Sequence, residues 1–328
     1  MNQQGLLQQE LPAQSMPAPI LQARQHLPRL GLPRLLILGC GDVGMRLLPL
    51  LVRRFRVFAV TRGTGQHETM RALGATPLTA DFDQPATLGR LAGLARHVIH
   101  LAPPQSAGLF DQRTRNLLAI LPQGGHLVYV STSGVYGDCG GAWVEETRPV
   151  APRNPRAARR VDAERVLRGW ARKSHATLSI LRVPGIYAEE RLPLARLQKG
   201  TPALQVGDDG YTNHIHADDL ARIIVQALFH ARPCRVYHAV DDSILRMGDY
   251  FDLVADHFAL PRPPRLPREQ LQQSVSPTLW SFMAESRRLH NTRLMQELQV
   301  RLHYPTVAAF LATVGPASTV TAAPALPA

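Results

Sequence analysis

The chain has 328 residues, with 37 Lys+Arg against 25 Asp+Glu for a formal net charge of +12; 45% of residues are apolar and 19% charged, a globular rather than a disordered composition. No apolar run approaches the roughly 18 residues of a membrane span, and the start Met1-Asn2-Gln3-Gln4 has neither the basic nor the apolar region of a secretory signal. Cys40, Cys139 and Cys234 form no CxxC pair, which excludes a disulfide framework, argues against structural zinc and makes the cytoplasm the expected location.

Residues 1–33, rich in Gln, Pro and Ala, read as a flexible leader, and residues 313–328, with Pro316, Pro324 and Pro327, as a flexible tail. Between them the first expected strand is Arg34 to Leu38, followed by a glycine-rich turn and a helix from Val43 to Arg54, which Pro49 can kink or end early. A strand at Arg56 to Val60, a short helix at Thr69 to Leu73 and a strand at Thr76 to Ala80 lead to Asp81. Then come a helix at Ala86 to Leu94, a strand at His97 to Leu101, a helix at Asp111 to Leu121 and a strand at His126 to Val130. An arginine-studded helix from Pro155 to Arg172 precedes the sixth strand, Thr177 to Val183. This alternation predicts an α/β fold, a doubly wound parallel sheet over residues 34–185 with helices on both faces. Residues 186–312 are less regular and form an expected C-terminal lobe, of which 215–240 return to the sheet. Helix-like stretches at Met247 to Phe258 and Arg287 to Leu298 flank the proline cluster Pro261 to Pro267.

The residues after the first strand are Gly39-Cys40-Gly41-Asp42-Val43-Gly44, a G-x-G-x-x-G between a strand and a helix. There the first glycine permits a tight turn, the second lets the backbone approach a pyrophosphate, and the third lets helix and strand pack closely. With the unpaired N–H groups of the helix N-terminus, Gly39, Gly41, Asp42, Val43 and Gly44 make a candidate dinucleotide phosphate site. An acidic residue ending the second strand would bond the ribose 2′-OH of NAD, but this chain has Val60-Thr61-Arg62-Gly63. Arg62 is placed to meet a 2′-phosphate and Thr61 to add a hydroxyl donor, which favours NADP over NAD; the alternative is an Arg62 that stacks on adenine or is solvated.

Nearly every positive charge is arginine, the two lysines being Lys173 and Lys199. No zinc finger, RNP motif or aromatic-interleaved basic stripe accompanies the charge, so nucleic acid is not an expected partner.

Val130-Ser131-Thr132-Ser133-Gly134-Val135-Tyr136-Gly137 resembles the S-S-x-x-V-Y-G segment of the extended short-chain dehydrogenase/reductases, the NAD-dependent epimerase/dehydratases. His100-Leu101-Ala102-Pro103 is similar to that family's H-x-A motif, and Asp81 to its acidic residue near adenine. Arg182-Val183-Pro184-Gly185-Ile186-Tyr187 resembles its R-x-P-G-I-Y-G, and His214-Ile215-His216-Ala217-Asp218-Asp219-Leu220-Ala221 its F-I-H-V-D-D-L-A. Tyr237 to Asp242 resembles its Y-N-V-x-D, and Ser286 to Leu294 its S-K-R-L-S-N-x-R-L. The resemblance spans residues 34 to 312. It implies a Rossmann-type doubly wound parallel sheet with a small C-terminal substrate lobe, an NAD or NADP cofactor, and a nucleotide-sugar-like or other small hydroxyl/carbonyl substrate. It further implies cofactor contacts from Asp81, Leu101, Ala102, Pro103, Ser131, Arg160, Pro184 and Ile186.

Redox members of that family use a Y-x-x-x-K pair on the helix after the fifth strand. Asp162-Ala163-Glu164 aligns with the family's A-A-E, which puts Arg156 at the tyrosine and Arg160 at the lysine. Independently of alignment, Gly169 and Ala195 stand four residues before the two lysines, so the chain has no Y-x-x-x-K. An arginine does not titrate near neutral pH and cannot replace the phenol as acid/base. Leu38 also stands where the family's leading glycine would be, and both departures resemble the atypical branch of the family.

Thr132 occupies the position of the family's catalytic Ser/Thr, with Ser131 and Ser133 as alternatives, or a polar strand end satisfying its own backbone. Tyr136 is the nearby phenol available as an acid. Arg156 and Arg160, four apart, share a helix face that can grip an anionic substrate or the cofactor phosphates. His214, His216, Asp218 and Asp219 match no common zinc spacing, and Asp218 or Asp219 suits the N-cap of a helix from Leu220 to Phe229, so no metal is expected. His100 reads as a packed structural histidine. Two functional readings follow: an NAD(P)-dependent oxidoreductase or epimerase working by hydride transfer assisted by Thr132, or a non-catalytic NAD(P)-binding sensor or regulator.

Overall fold

The computed structural model describes residues 31–315, so the expected leader and tail lie almost wholly outside the described residues. Leu35, Leu36, Ile37 and Leu38 are all fully buried, as a strand must be when helices cover both faces of its sheet. Seven strands, β1 (Arg34–Leu38), β2 (Arg56–Thr61), β3 (Thr76–Thr79), β4 (His97–His100), β5 (His126–Thr132), β6 (Thr177–Val183) and β7 (Arg235–His238), form one sheet in the order β7-β6-β5-β4-β1-β2-β3. Every neighbouring pair in it is parallel. The direction of winding reverses at β1, which opens a crevice at the carboxyl end of that strand.

The helices are α1 (Asp42–Leu51), α2 (His67–Ala72), α3 (Gln112–Leu118), α4 (Pro155–Ser174), α5 (Leu194–Gln198) and α6 (Ala217–His230), followed by shorter lobe helices. Successive strand residues face opposite layers. Leu35, Ile37, Val57 and Ala59 pack with Leu47 and Leu48 of α1 and Ile223 and Ile224 of α6. Leu36, Leu38, Phe58 and Val60 share the other core with Leu117 of α3 and Ala163 and Leu167 of α4.

Several elements differ from expectation. Helix α1 runs through Pro49 but ends at Leu51, short of Arg54; proline offers no N–H to the preceding turn. Residues Pro85–Leu91 form a 3₁₀ helix. The expected helix from Arg287 begins only at Thr292, because Arg288–Leu289 pairs as a strand with Trp143–Val144. Helix α6 starts at Ala217 and is capped by His216, whose Nδ1 accepts from the Asp218 amide at 3.2 Å, rather than by Asp218 or Asp219. The Asp219 carboxylate instead accepts the amides of His303 and Tyr304, both at 2.8 Å.

After Val183 the chain leaves the sheet. Gly185–Tyr187 pairs with His214–His216, and Ala203–Leu204 with Arg265–Leu266, around a separate core that includes Tyr187, Leu197, Phe251, Val254 and Phe310. Strand β7 returns to the sheet beside β6. Among the described residues no helix is long and apolar enough to cross a membrane.

Candidate cofactor and substrate site

The turn after β1 is shaped by its glycines. Gly39 has φ +83°, and a Cβ there would lie 2.8 Å from Ala102 Cα and N. That position therefore needs glycine both for its backbone and for the approach of the β4 loop. A Cβ on Gly44 would sit 2.8 Å from Cys40 Sγ, so the third glycine serves packing. A Cβ on Gly41 would meet nothing within 4 Å. Space therefore lies open above the second glycine. The amides of Asp42, Val43 and Gly44, the first turn of α1, find no acceptor among the described residues. Free amides at a helix N-terminus beside an uncovered glycine fit the pyrophosphate of a dinucleotide. The Asp42 carboxylate is held by Arg46 Nε at 3.0 Å and Arg191 Nη1 at 2.9 Å, and Arg46 also pairs with Glu190 and Asp218. Leu101 and Ala102 donate their amides to Leu38 O, locking the β4 loop against the glycine turn.

At the end of β2, Arg62 is exposed and has no carboxylate within ion-pair distance among the described residues. Thr61 differs from expectation: its hydroxyl donates to Gly63 O at 2.8 Å and meets His67 Nε2 at 3.2 Å, so its proton is occupied within the turn. Asp81 Oδ1 accepts the Asp83 amide at 3.0 Å. Arg113, which sequence reasoning did not single out, pairs with Asp83 at 2.6 Å and donates to Pro103 O at 3.1 Å, joining the loops after β3 and β4. That hydrogen bond holds the Asp83 carboxyl below its ordinary range, with a smaller contribution from the Arg62 charge.

A cavity of about 320 Å³ opens between the ends of β5 and β6 and the lobe. Thr132, Pro184 and Ile186 line it. Thr132 Oγ accepts the Gly134 amide at 3.2 Å while its own proton finds no acceptor among the described residues, so the hydroxyl is a free donor. Neither Ser131 nor Tyr136 lines this cavity. The Ser131 hydroxyl donates to Glu164 Oε1 at 2.7 Å. Arg182, opposite Ser131 in the sheet, donates to both Glu164 oxygens at 3.1 and 2.7 Å and to the Tyr136 oxygen at 2.7 Å. His238 Nδ1 faces the His290 carbonyl at 2.9 Å and must carry the proton there. Its Nε2 is then the acceptor for the Tyr136 O–H at 2.6 Å. Burial pushes Tyr136 up to about 12 and His238 down to about 3. The phenol is thus a buried strut between β6 and β7, a weak acid whose proton is engaged by His238.

The two arginines in the Y-x-x-x-K positions also part company. Arg160 Nη1 donates to Tyr129 OH at 3.0 Å and to Val130 O at 2.8 Å, beside the β5 end. Arg156 reaches the cavity and stacks on Phe282, 3.9 Å from the ring centroid. The lobe adds residues that sequence reasoning missed: Arg191, Tyr211, Phe282 and Glu285 line the cavity, as does Arg287, which was seen only as part of a resemblance. All sit in elements of at most seven residues or in the turns between them, too short to carry a periodic signal. Of the histidines, His214 lines the cavity, and burial keeps it neutral at about 3. His100 Nε2 meets Thr114 Oγ at 3.1 Å, and that hydroxyl in turn donates to Asp111 at 2.7 Å. Among the described residues no group of three or more His, Cys, Asp or Glu could hold a metal ion.

The sequence model of the NAD dependent epimerase/dehydratase family matches residues 35–240. A functionally unknown conserved protein from Silicibacter pomeroyi DSS is 30% identical, with 85% of this chain and 97% of that chain covered and a TM-score of 0.69. A UDP-glucose 4-epimerase from Thermotoga maritima, solved with UDP-glucose, is 17% identical over 85% of this chain and 96% of its own, with a TM-score of 0.67. A UDP-glucuronic acid 4-epimerase from Bacillus cereus, solved with NAD, is 17% identical over 84% and 95%, with a TM-score of 0.66; at that identity the two epimerases show a shared fold. No protein of curated function matches in sequence.

Proposed function

Because the chain belongs to the NAD dependent epimerase/dehydratase family, we propose that it is an NAD(P)-dependent oxidoreductase or epimerase of the atypical short-chain dehydrogenase type, acting in the cytoplasm on a small hydroxyl or carbonyl compound. The observation that carries this reading is the open first turn of α1, with three unengaged amides beside a glycine whose outward side is empty. In this reading the amides of Asp42, Val43 and Gly44 hold the pyrophosphate, Gly41 lets it approach the backbone, and Arg62 holds a 2′-phosphate. Asp81, Leu101, Ala102 and Pro103 flank the adenine end, and Arg160, Pro184 and Ile186 the nicotinamide end. Bound there, the nicotinamide supplies a hydride acceptor or donor. Thr132 donates its free hydroxyl proton to the substrate oxygen and orients it. The NAD and UDP-glucose of the two epimerase structures support a dinucleotide and a small-molecule substrate as the ligand classes.

One observation favours a second reading, a sensor or regulator that binds the dinucleotide without turning it over. Of the ionisable side chains around the cavity, burial keeps His214 neutral and pushes the phenols of Tyr187 and Tyr250 up, Glu285 is paired with Arg287, and Arg156 stands at the family's tyrosine position, which leaves Tyr211 as the further phenol there. Titration with NADPH and NADH, followed by fluorescence, tests both. NADPH is expected to bind about tenfold tighter than NADH, and Arg62→Ala to erase the difference, as befits one charge-assisted contact. Failure of both nucleotides to bind refutes the cofactor reading. Tight binding with no consumption across a panel of hydroxyl and carbonyl compounds selects the sensor.

A further inference from the structure

We propose that the substrate carries a carboxylate or phosphate group and that Arg156 binds it at the cavity. The proposal rests on the reading of this cavity as the substrate site. Three guanidinium groups line the cavity, those of Arg156, Arg191 and Arg287, against one carboxylate, Glu285. Arg287 is engaged by that carboxylate at 2.8 Å and donates to Gly137 O at 2.8 Å. Arg191 is engaged by Asp42 at 2.9 Å. Arg156 alone of the three has no carboxylate within ion-pair distance among the described residues.

Its surroundings suit an incoming oxyanion. The Phe282 ring covers one face of the Arg156 guanidinium, which fixes its plane and leaves the N–H edges to point at a planar, bidentate acceptor. Arg160 lies one turn further along α4, and its charge is held by neutral oxygens at Tyr129 and Val130 rather than by a carboxylate. Two cations without an ion pair among the described residues therefore stand on one helix face. Burial, and after it the Arg160 charge, disfavour the cationic form of Arg156, with the Glu285 carboxylate offsetting part of that; a bound anion relieves the remainder. The cavity volume is at the low end of small-ligand sites, and the nicotinamide end of a cofactor would share it. A compact acid fits the remainder.

Calorimetric titration of the NADPH-loaded protein tests this, with oxalate as the carboxylate probe and inorganic phosphate as the phosphate probe. At least one is expected to bind, to lose at least about tenfold in affinity in Arg156→Gln, the equivalent of about 1.4 kcal/mol, and to recover part of that loss in Arg156→Lys, because the contact removed is a charge-assisted hydrogen bond. Whichever probe responds identifies the oxyanion class. NADPH affinity and the melting temperature are expected to stay at wild-type values in both variants. Failure of both probes to bind wild-type protein overturns the proposal, as does equal binding to wild type and Arg156→Gln. If NADPH itself does not bind, the cofactor reading falls, and the same titrations on the cofactor-free protein still decide the role of Arg156.

Discussion

Alanine at Gly39 and alanine at Gly41 separate what the glycine turn does for the fold from what it does for a ligand. At Gly39 the backbone sits at φ +83°, where an L-residue costs about 1–2 kcal/mol. The new Cβ would also lie 2.8 Å from the Ala102 backbone, which has no rotamer with which to retreat; such overpacking costs about 1–3 kcal/mol. The reduced freedom of the unfolded chain returns only about 0.4–1 kcal/mol. Gly39→Ala should therefore lose about 2–4 kcal/mol in denaturant unfolding with no ligand present. Gly41 has φ −88° and ψ −151°, extended backbone open to any residue. There the weaker N-cap preference of alanine, about 1 kcal/mol, and the entropic gain, about 0.4–1 kcal/mol, nearly cancel. Gly41→Ala should keep wild-type stability to within about 0.5 kcal/mol. Its methyl nonetheless occupies the open side where the pyrophosphate would rest, so NADPH affinity should fall at least about tenfold, the equivalent of about 1.4 kcal/mol. A Gly41→Ala protein that binds NADPH like wild type would refute the placement of the phosphates at this turn. An unfolding loss there above about 1.5 kcal/mol would refute the cancellation.

Three further outcomes follow from the buried groups. Glu164→Ala leaves the Arg182 guanidinium buried without its counter-charge, and should cost about 3–5 kcal/mol by denaturant unfolding; a loss below about 1 kcal/mol would show that the pair is not a structural clamp. Tyr136→Phe removes the donor to His238 and the acceptor for Arg182, and should cost about 1–3 kcal/mol in stability with NADPH affinity and any turnover unchanged; a large fall in turnover at full cofactor affinity would return Tyr136 to the mechanism. Burial pushes the Asp241 carboxyl up from 3.8 to about 7. A raised carboxyl pKa lends the fold stability that is complete below the unfolded value and lost as pH rises through the folded one, so the melting temperature of Asp241→Asn relative to wild type should climb between about pH 4 and about pH 8; a flat difference across that window contradicts the assignment.

The sheet was legible because its signals are local. Contiguous apolar runs such as Leu35 to Leu38 and a glycine turn between strand and helix need no distant partner to be read. The site was legible only as far as backbone and alternation reach. Ser131 and Thr132 are neighbours on a strand and so point to opposite sides; parity shows that one of them leaves the cavity, but only the position of Glu164 decides that it is Ser131. Helix spacing puts Arg156 and Arg160 on one face, yet their long side chains go where acceptors are. Arg160 turns to the carbonyl at the end of β5, and Arg156 to a ring from the lobe more than a hundred residues away in sequence. The Tyr136 phenol looked available because it is the phenol near Thr132 in sequence. It is closed off by Arg182 and His238, which β6 and β7 bring to it.

The same arginines bound the chemistry of the cavity. Where the related enzymes carry a phenol and an ammonium that titrate, this chain carries two guanidiniums that stay charged across the working pH range. The Thr132 hydroxyl faces the cavity with its proton unengaged among the described residues, and such a hydroxyl can orient an oxygen by hydrogen bonding. On the proposed reading a proton that leaves or joins the substrate has three routes: solvent, the Tyr211 phenol or Glu285 carboxylate that line the cavity, and the substrate's own acidic group. The oxyanion that Arg156 is placed to bind is such a group when it lies next to the reacting carbon. An acid bound there would bring both its anchor and a proton acceptor into the cavity, which is why the proposed reading favours an acidic hydroxy or keto compound.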